Sequence, residues 1–239
     1  MSNVKLAWGA SILAATAALV SPAANATVMG TAFFATGGQS QNASIGATAG
    51  LPVEATFGVP QPNPGCTGAF LGSTLCFSSY GKGVLTGNQQ NAYTLGSYLS
   101  TGGATVTSGS ASLNNMLSSD STTGTLFEFT GTVSATTGQV FTVNHDDGVS
   151  LKIGNQMVIN DPGSGSTVTT ATYTGPSGDL PFDLVYSECC GGGAQLGILL
   201  PLATEGVGAP SPVPEPTSLA ILGSALIGFG TVRRRRKSA

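Results

Sequence analysis

Asn144-His145-Asp146-Asp147-Gly148 is where this 239-residue chain places residue types that could do chemistry together. Adjacent carboxylates on a strand-to-strand turn repel each other and are best kept ionised by a cation. With nearby backbone carbonyls, Asp146 and Asp147 would make a hard-oxygen Ca2+ site. The same residues also suit a solvated Asp-Asp-Gly β-turn, in which Asp caps the turn and Gly148 takes a positive φ. His145 is the single histidine, so any Ser-His-Asp triad would have to use it. No nucleophile elbow surrounds it, and the expectation is an exposed turn histidine. Glu54, Glu128 and Asp183 are the candidates for a glycosidase pair, but nothing in their spacing holds two carboxylates the ~5–10 Å apart that such chemistry needs. Asp183 alternates with core-like Phe182 and Leu184 and is expected on the solvent face, with Tyr186 in the core. A non-enzymatic protein is the expectation.

The elements that must position this turn read as short strands. Phe127 to Val133 alternates cleanly, and Val140 to Val143 leads into the turn. Val149 to Ile153 alternates again, and Gly154-Asn155 offers a two-residue hairpin turn into Gln156 to Ile159. Thr167 to Tyr173, Phe182 to Tyr186 and Ala194 to Leu200 complete a series spaced by Gly, Pro and Asp turns. No long 3.6-residue pattern interrupts them between residues 27 and 210, which predicts an all-β fold, an antiparallel β-sandwich. Ala92 to Leu99 and Ala111 to Leu117 fit either a strand or a short helical turn. Residues 27 to about 87 carry no clear periodicity and crowd Pro60, Pro62 and Pro64 into one loop.

Both ends are read as targeting segments. Lys5, the apolar run Leu6 to Val20 and Ala24-Asn25-Ala26 form a secretory signal peptide over residues 1–26, with the mature chain starting at Thr27. A β-sandwich ectodomain is expected over 27–205 and a Pro-rich linker over 206–216. Residues 217–239 hold an apolar run, Thr217 to Val232, and a basic end, Arg233 to Lys237. A helix over those 16 apolar residues would span about 24 Å, short of the ~30 Å hydrocarbon core yet able to be held in it. The cations after it favour a cytoplasmic C-terminus, so the sequence predicts a membrane-anchored C-terminal helix. Without the two ends, Lys82 and Lys152 face ten acids, a net charge of −8 hidden behind the whole-chain value of −3. An acidic ectodomain argues against nucleic acid or anionic membrane as its partner and is compatible with cations. Cys66, Cys76, Cys189 and Cys190 all lie in the exported part, which predicts two disulfides. Three pairings are open. Pairing Cys66 with Cys76 would leave Cys189 and Cys190 to close a tight ring, so pairings that tie the 66–76 segment to the 189–190 turn are favoured. A four-thiolate zinc site fits poorly, because vicinal cysteines depart from C-x2-C spacing.

Val213-Pro214-Glu215-Pro216, the apolar run and the basic cluster together resemble the PEP-CTERM sorting signal of Gram-negative bacteria that make exopolysaccharide. The resemblance implies an exosortase-type processing enzyme as partner, an inner-membrane-anchored precursor, and a product at the cell surface or secreted. Phe141 to Ile159, followed by Phe182 to Glu188 and Ala194-Gln195-Leu196, resembles the protective-antigen-type lectin β-sandwich found in bacterial toxins, glycosidase-associated modules and yeast flocculins. That resemblance covers roughly residues 125 to 202. In the flocculin branch an Asp-Asp pair joined by a cis peptide binds Ca2+, which in turn binds sugar hydroxyls. Asp146 and Asp147 stand at the matching place as metal and carbohydrate ligands, and Glu188 in the second loop is a candidate acidic ligand, although no Asn matches the family's there. The resemblance implies binding of extracellular polysaccharide; the other reading is a structural matrix protein with no specific ligand.

Overall fold

The computed structural model describes residues 28–67, 71–79, 93–119, 122–190 and 193–203. The segments expected to be signal peptide, linker and C-terminal helix lie outside these residues. No helix among the described residues is long and apolar enough to cross a membrane.

Eleven strands are described, in two antiparallel sheets. One sheet has seven strands: β1 (Val28–Thr36), β2 (Val53–Val59), β4 (Thr105–Ser108), β5 (Thr123–Ala135), β7 (Val149–Ile153), β8 (Gln156–Asp161) and β10 (Gly178–Glu188). Their order is β4-β2-β1-β5-β10-β7-β8. The other sheet orders β3 (Leu75–Ser78), β11 (Gln195–Ile198), β6 (Val140–Asp146) and β9 (Thr167–Thr172) as β3-β11-β6-β9. Connecting the strands are α1 (Gly37–Ser40), α2 (Leu95–Thr101) and a 3-10 helix at Ser110–Asn114.

Period-2 alternation decides which side chains meet between the sheets. On β5 and β10, Phe127, Phe129, Leu184 and Tyr186 point inward, together with Val149 and Leu151 of β7. They pack on Phe77, Phe141, Val143, Leu196 and Ile198 of the smaller sheet. The Phe129 ring lies 5.6 Å from Phe77 and 5.8 Å from Phe57, centroid to centroid, so aromatic contacts cross the sandwich. Between them run the residues of the opposite face: Glu128, Thr130, Asp183, Val185, Ser150 and Lys152, in direct cross-strand register. Asp183 is half-buried there rather than fully in solvent, since residues 41–52 fold over part of this face and cover Phe33, Leu126 and Val185.

The N-terminal segment joins the sandwich: β1 pairs with β5 from Met29↔Thr130 to Thr36↔Thr123. The ambiguous 92–99 stretch resolves into α2, whose N-cap Thr94 accepts the Ser97 amide at 3.2 Å. Its buried residues, Leu95, Tyr98 and Leu99, form a helical stripe against the core, with Tyr98 5.4 Å from Phe127.

The favoured disulfide pairing is corrected. Cys66 pairs with Cys76 (Cα–Cα 5.1 Å) and Cys189 with Cys190. The cause is local. Asn63 Oδ1 accepts the Gly65 amide at 2.8 Å and its carbonyl accepts the Cys66 amide at 3.1 Å, a turn that swings Cys66 back onto β3. Cys76 sits within the smaller sheet opposite Gly197, whereas Cys189 and Cys190 follow β10 of the larger one.

Candidate functional site

The Asp146–Asp147 turn stands where the two sheets exchange the chain. Asp146 is the last residue of β6 in the smaller sheet, and Val149 begins β7 in the larger one. The Asp146–Asp147 peptide bond is cis. Gly148 does not take a positive φ, contrary to the expectation for a simple β-turn. It is required by close approach instead, because a Cβ there would stand 2.2 Å from the Pro162 carbonyl oxygen.

The turn is stitched to the end of β10. The Asp147 amide donates to the Ser187 carbonyl (3.1 Å), the Ser187 amide to the Gly148 carbonyl (3.0 Å) and the Gly148 amide to Ser187 Oγ (3.1 Å). Asp147 is 7 % exposed; its Oδ2 accepts the Cys189 amide at 2.8 Å and its Oδ1 the Gly165 amide at 3.0 Å. Three chain segments therefore converge on one carboxylate. Burial raises its pKa, the two amide bonds pull it down, and the neighbouring Asp146 charge raises it again.

Below the turn, Tyr186 donates its hydroxyl to the Asp146 carbonyl and accepts the Gln195 amide at 3.1 Å. Its oxygen also lies 3.3 Å from Glu188 Oε2. One hydroxyl carries one proton, so the Glu188 contact is filled when Glu188 itself is protonated. Burial, followed by the Asp147 and Asp146 charges, drives the Glu188 pKa well above the ordinary carboxylate value. Glu188 is 1 % exposed and also accepts from Ser118 Oγ at 3.3 Å. The sequence-predicted trio of Asp146, Asp147 and Glu188 is thus brought together, with the two aspartates at the turn and Glu188 beneath it among hydroxyls.

His145 is not the exposed turn histidine expected from the sequence: it is 1 % exposed. The correction follows from strand phase, since Phe141, Val143 and His145 all occupy inward positions of β6. Nδ1 lies 2.5 Å from the Asp147 carbonyl oxygen, which can only accept, so this nitrogen carries a proton. Nε2 lies 2.9 Å from Thr169 Oγ1, which donates to Asp161 Oδ2 at 2.7 Å. Sequence reasoning missed this chain and also missed Ser187 and Gly165. Ser187 adjoins the identified Tyr186, while Gly165 lies in a loop with no local signal.

Among the carboxylate candidates for glycosidase chemistry, Glu54 bonds Asn115 Nδ2 at 2.8 Å, whereas Glu128 and Asp183 are diagonal neighbours on the outer face of the larger sheet, where burial and then the Asp183 charge raise the Glu128 pKa and Glu128 accepts from Thr48. Val213, Pro214, Glu215 and Pro216 lie outside the described residues.

Residues 212–236 match the PEP-CTERM protein-sorting motif. The motif implies an exported precursor and exosortase processing. The ectodomain is similar in structure to a PA14 sugar-binding domain from an RTX adhesin, at 22 % identity, over 73 % of this chain and 89 % of that one, with a TM-score of 0.46. A PA14 domain of the MpAFP antifreeze protein aligns at 18 % identity over 80 % of this chain and 90 % of that one, TM-score 0.43. A β-glucosidase from Kluyveromyces marxianus aligns over 34 % of this chain and 11 % of its own length, at 10 % identity and TM-score 0.24. No curated protein matches the chain.

The side-chain donors at the turn are carboxylate oxygens, the hard donor type. Asp147 is buried beside two other acids, and Lys152, the lone Lys or Arg among the described residues, stands on the outer face opposite Asp183. No group of three or more His, Cys, Asp and Glu side chains among the described residues is arranged to hold a metal, so Asp146 and Asp147 would need backbone or solvent oxygens to complete a coordination shell.

Proposed function

We propose that the exported domain is a cell-surface or extracellular-matrix binding module that holds Ca2+ at Asp146 and Asp147 and, through that site, binds exopolysaccharide glycans. The observation that carries this reading is the Asp147 carboxylate, buried next to Asp146 and above Glu188 and held by two backbone amides, with no lysine or arginine among the described residues beside it. Bound Ca2+ would supply positive charge and coordination positions that sugar hydroxyls can fill. The chain's own groups do the positioning. Cys189 and Gly165 amides aim the Asp147 carboxylate, Tyr186 and His145 fix the two turn carbonyls, and Ser187 locks the turn to β10. The net charge of −8 between the targeting segments favours neutral glycans over anionic polymers.

The test is retention of the full chain on immobilised mannan, galactomannan and dextran, in Ca2+ and then in EGTA. Retention on at least one matrix that EGTA reverses, and that Asp147→Ala loses, supports the reading. Retention indifferent to the chelator, or none at all, contradicts it and leaves a structural matrix protein as the alternative.

A further inference from the structure

The outer face of the smaller sheet continues the turn as a row of polar side chains. Asp146 of β6 pairs directly with Gln195 of β11, and Gln195 pairs with Ser78 of β3, so the three side chains share one face and lie in line across three strands. Asn144, two residues before Asp146, projects from the same face and pairs with Val168 of β9. All four polar residues are partly exposed, while the residues between them, Val143, His145, Leu196 and Phe77, point into the core. At ~4.8 Å per inter-strand step the row runs ~10 Å from Asp146 across β11 to β3.

We propose that Asn144, Gln195 and Ser78 form a second recognition subsite, which binds the sugar unit next to the one held at Asp146–Asp147. This rests on the reading that the turn binds glycan. The row offers two amides and a hydroxyl, groups that both donate and accept and so match sugar hydroxyls in either role. It holds no cation, and its one charge is Asp146, so a sulfated or carboxylated unit gains nothing there and an uncharged one does. Val168, 58 % exposed beside Asn144, supplies apolar surface for a sugar C–H face. A polysaccharide chain leaving the turn across β11 would meet Gln195 and then Ser78, with Asn144 flanking its start on β6.

The experiment measures affinity of the full chain in Ca2+ for mannose and linear mannotriose, galactose and galactotriose, and glucose and cellotriose. The wild type is compared with Asn144→Ala, Gln195→Ala and Gln195→Glu, whose folding is checked by thermal melting. The expected result is a trisaccharide preference of at least about tenfold in the best series, falling toward unity in folded Gln195 and Asn144 variants. A wild type without trisaccharide preference, or folded variants that keep it, overturns the subsite while leaving the turn site standing. A wild type that binds none of the six sugars overturns the reading of the turn and the subsite with it.

Discussion

Asp147 Oδ2 accepts the amide of Cys189 at 2.8 Å, so the turn between the sheets and the chain leaving β10 are held together by one carboxylate. Gly165, on the loop between β8 and β9, donates to the other oxygen at 3.0 Å. Removing this carboxylate leaves one buried and one part-buried amide without their acceptor. At ~1–3 kcal/mol for each unsatisfied group, Asp147→Ala should lower the melting temperature measurably even without added metal. An unchanged melting curve would show that the two loops do not depend on it.

Glu188 carries a pH dependence of defined sign. Its folded pKa lies well above 4.5, so above that value the folded chain holds the proton more tightly than the unfolded chain does. The corresponding stability is complete below pH 4.5 and is lost as pH rises toward the folded value. Glu188→Gln, which keeps the shape and removes the charge, should raise the urea midpoint at about pH 8 and narrow the gap between acid and alkaline midpoints. A midpoint lowered in the alkaline sample would mean the ionised carboxylate stabilises the fold.

Tyr186 combines a core ring with a polar tip. Its ring lies 5.7 Å from Phe127, and its hydroxyl serves the Asp146 carbonyl and the Gln195 amide. Tyr186→Phe keeps the packing and should cost about 1–3 kcal/mol in chemical denaturation, since buried polar groups lose their partner. A cost near zero would mean water replaces the hydroxyl.

Gly148 faces the Pro162 backbone with no room for a methyl group. Gly148→Ala should destabilise by roughly 1–3 kcal/mol, the usual scale for overpacking. Gly138→Ala, at an open position with φ of +88°, serves as the contrast, since its cost comes from backbone conformation alone. Denaturant titration of both variants checks this, and a Gly148→Ala variant as stable as wild type would contradict the packing account.

The sequence showed the sandwich best where apolar and polar residue types alternate along a strand. The β7–β8 hairpin follows its alternation from Val149 through Gly154-Asn155, with Gly154 at φ of +57°. β1 could not be read this way, because Ala32 faces the inner core while adjacent Phe33 is covered by residues 41–52, and burial on both faces erases alternation. His145 was misplaced for a related reason. Asn-His-Asp-Asp-Gly has turn composition, yet β6 continues through Asp146, and strand phase turns the histidine inward. The aspartate pair stood out as a candidate by residue type together with its place in the lectin-like resemblance, since residue type alone also suits a solvated turn. Its amide donors did not, because Gly165 and Cys189 reach it through backbone groups that carry no side-chain signature.

Calorimetric titration of the full chain with Ca2+, for wild type and Asp147→Ala, tests the central claim most directly. A saturable heat in the wild type that disappears in the variant is the predicted result. A wild type that gives no heat and no calcium-dependent rise in melting temperature, or a folded variant that binds Ca2+ as the wild type does, would contradict it.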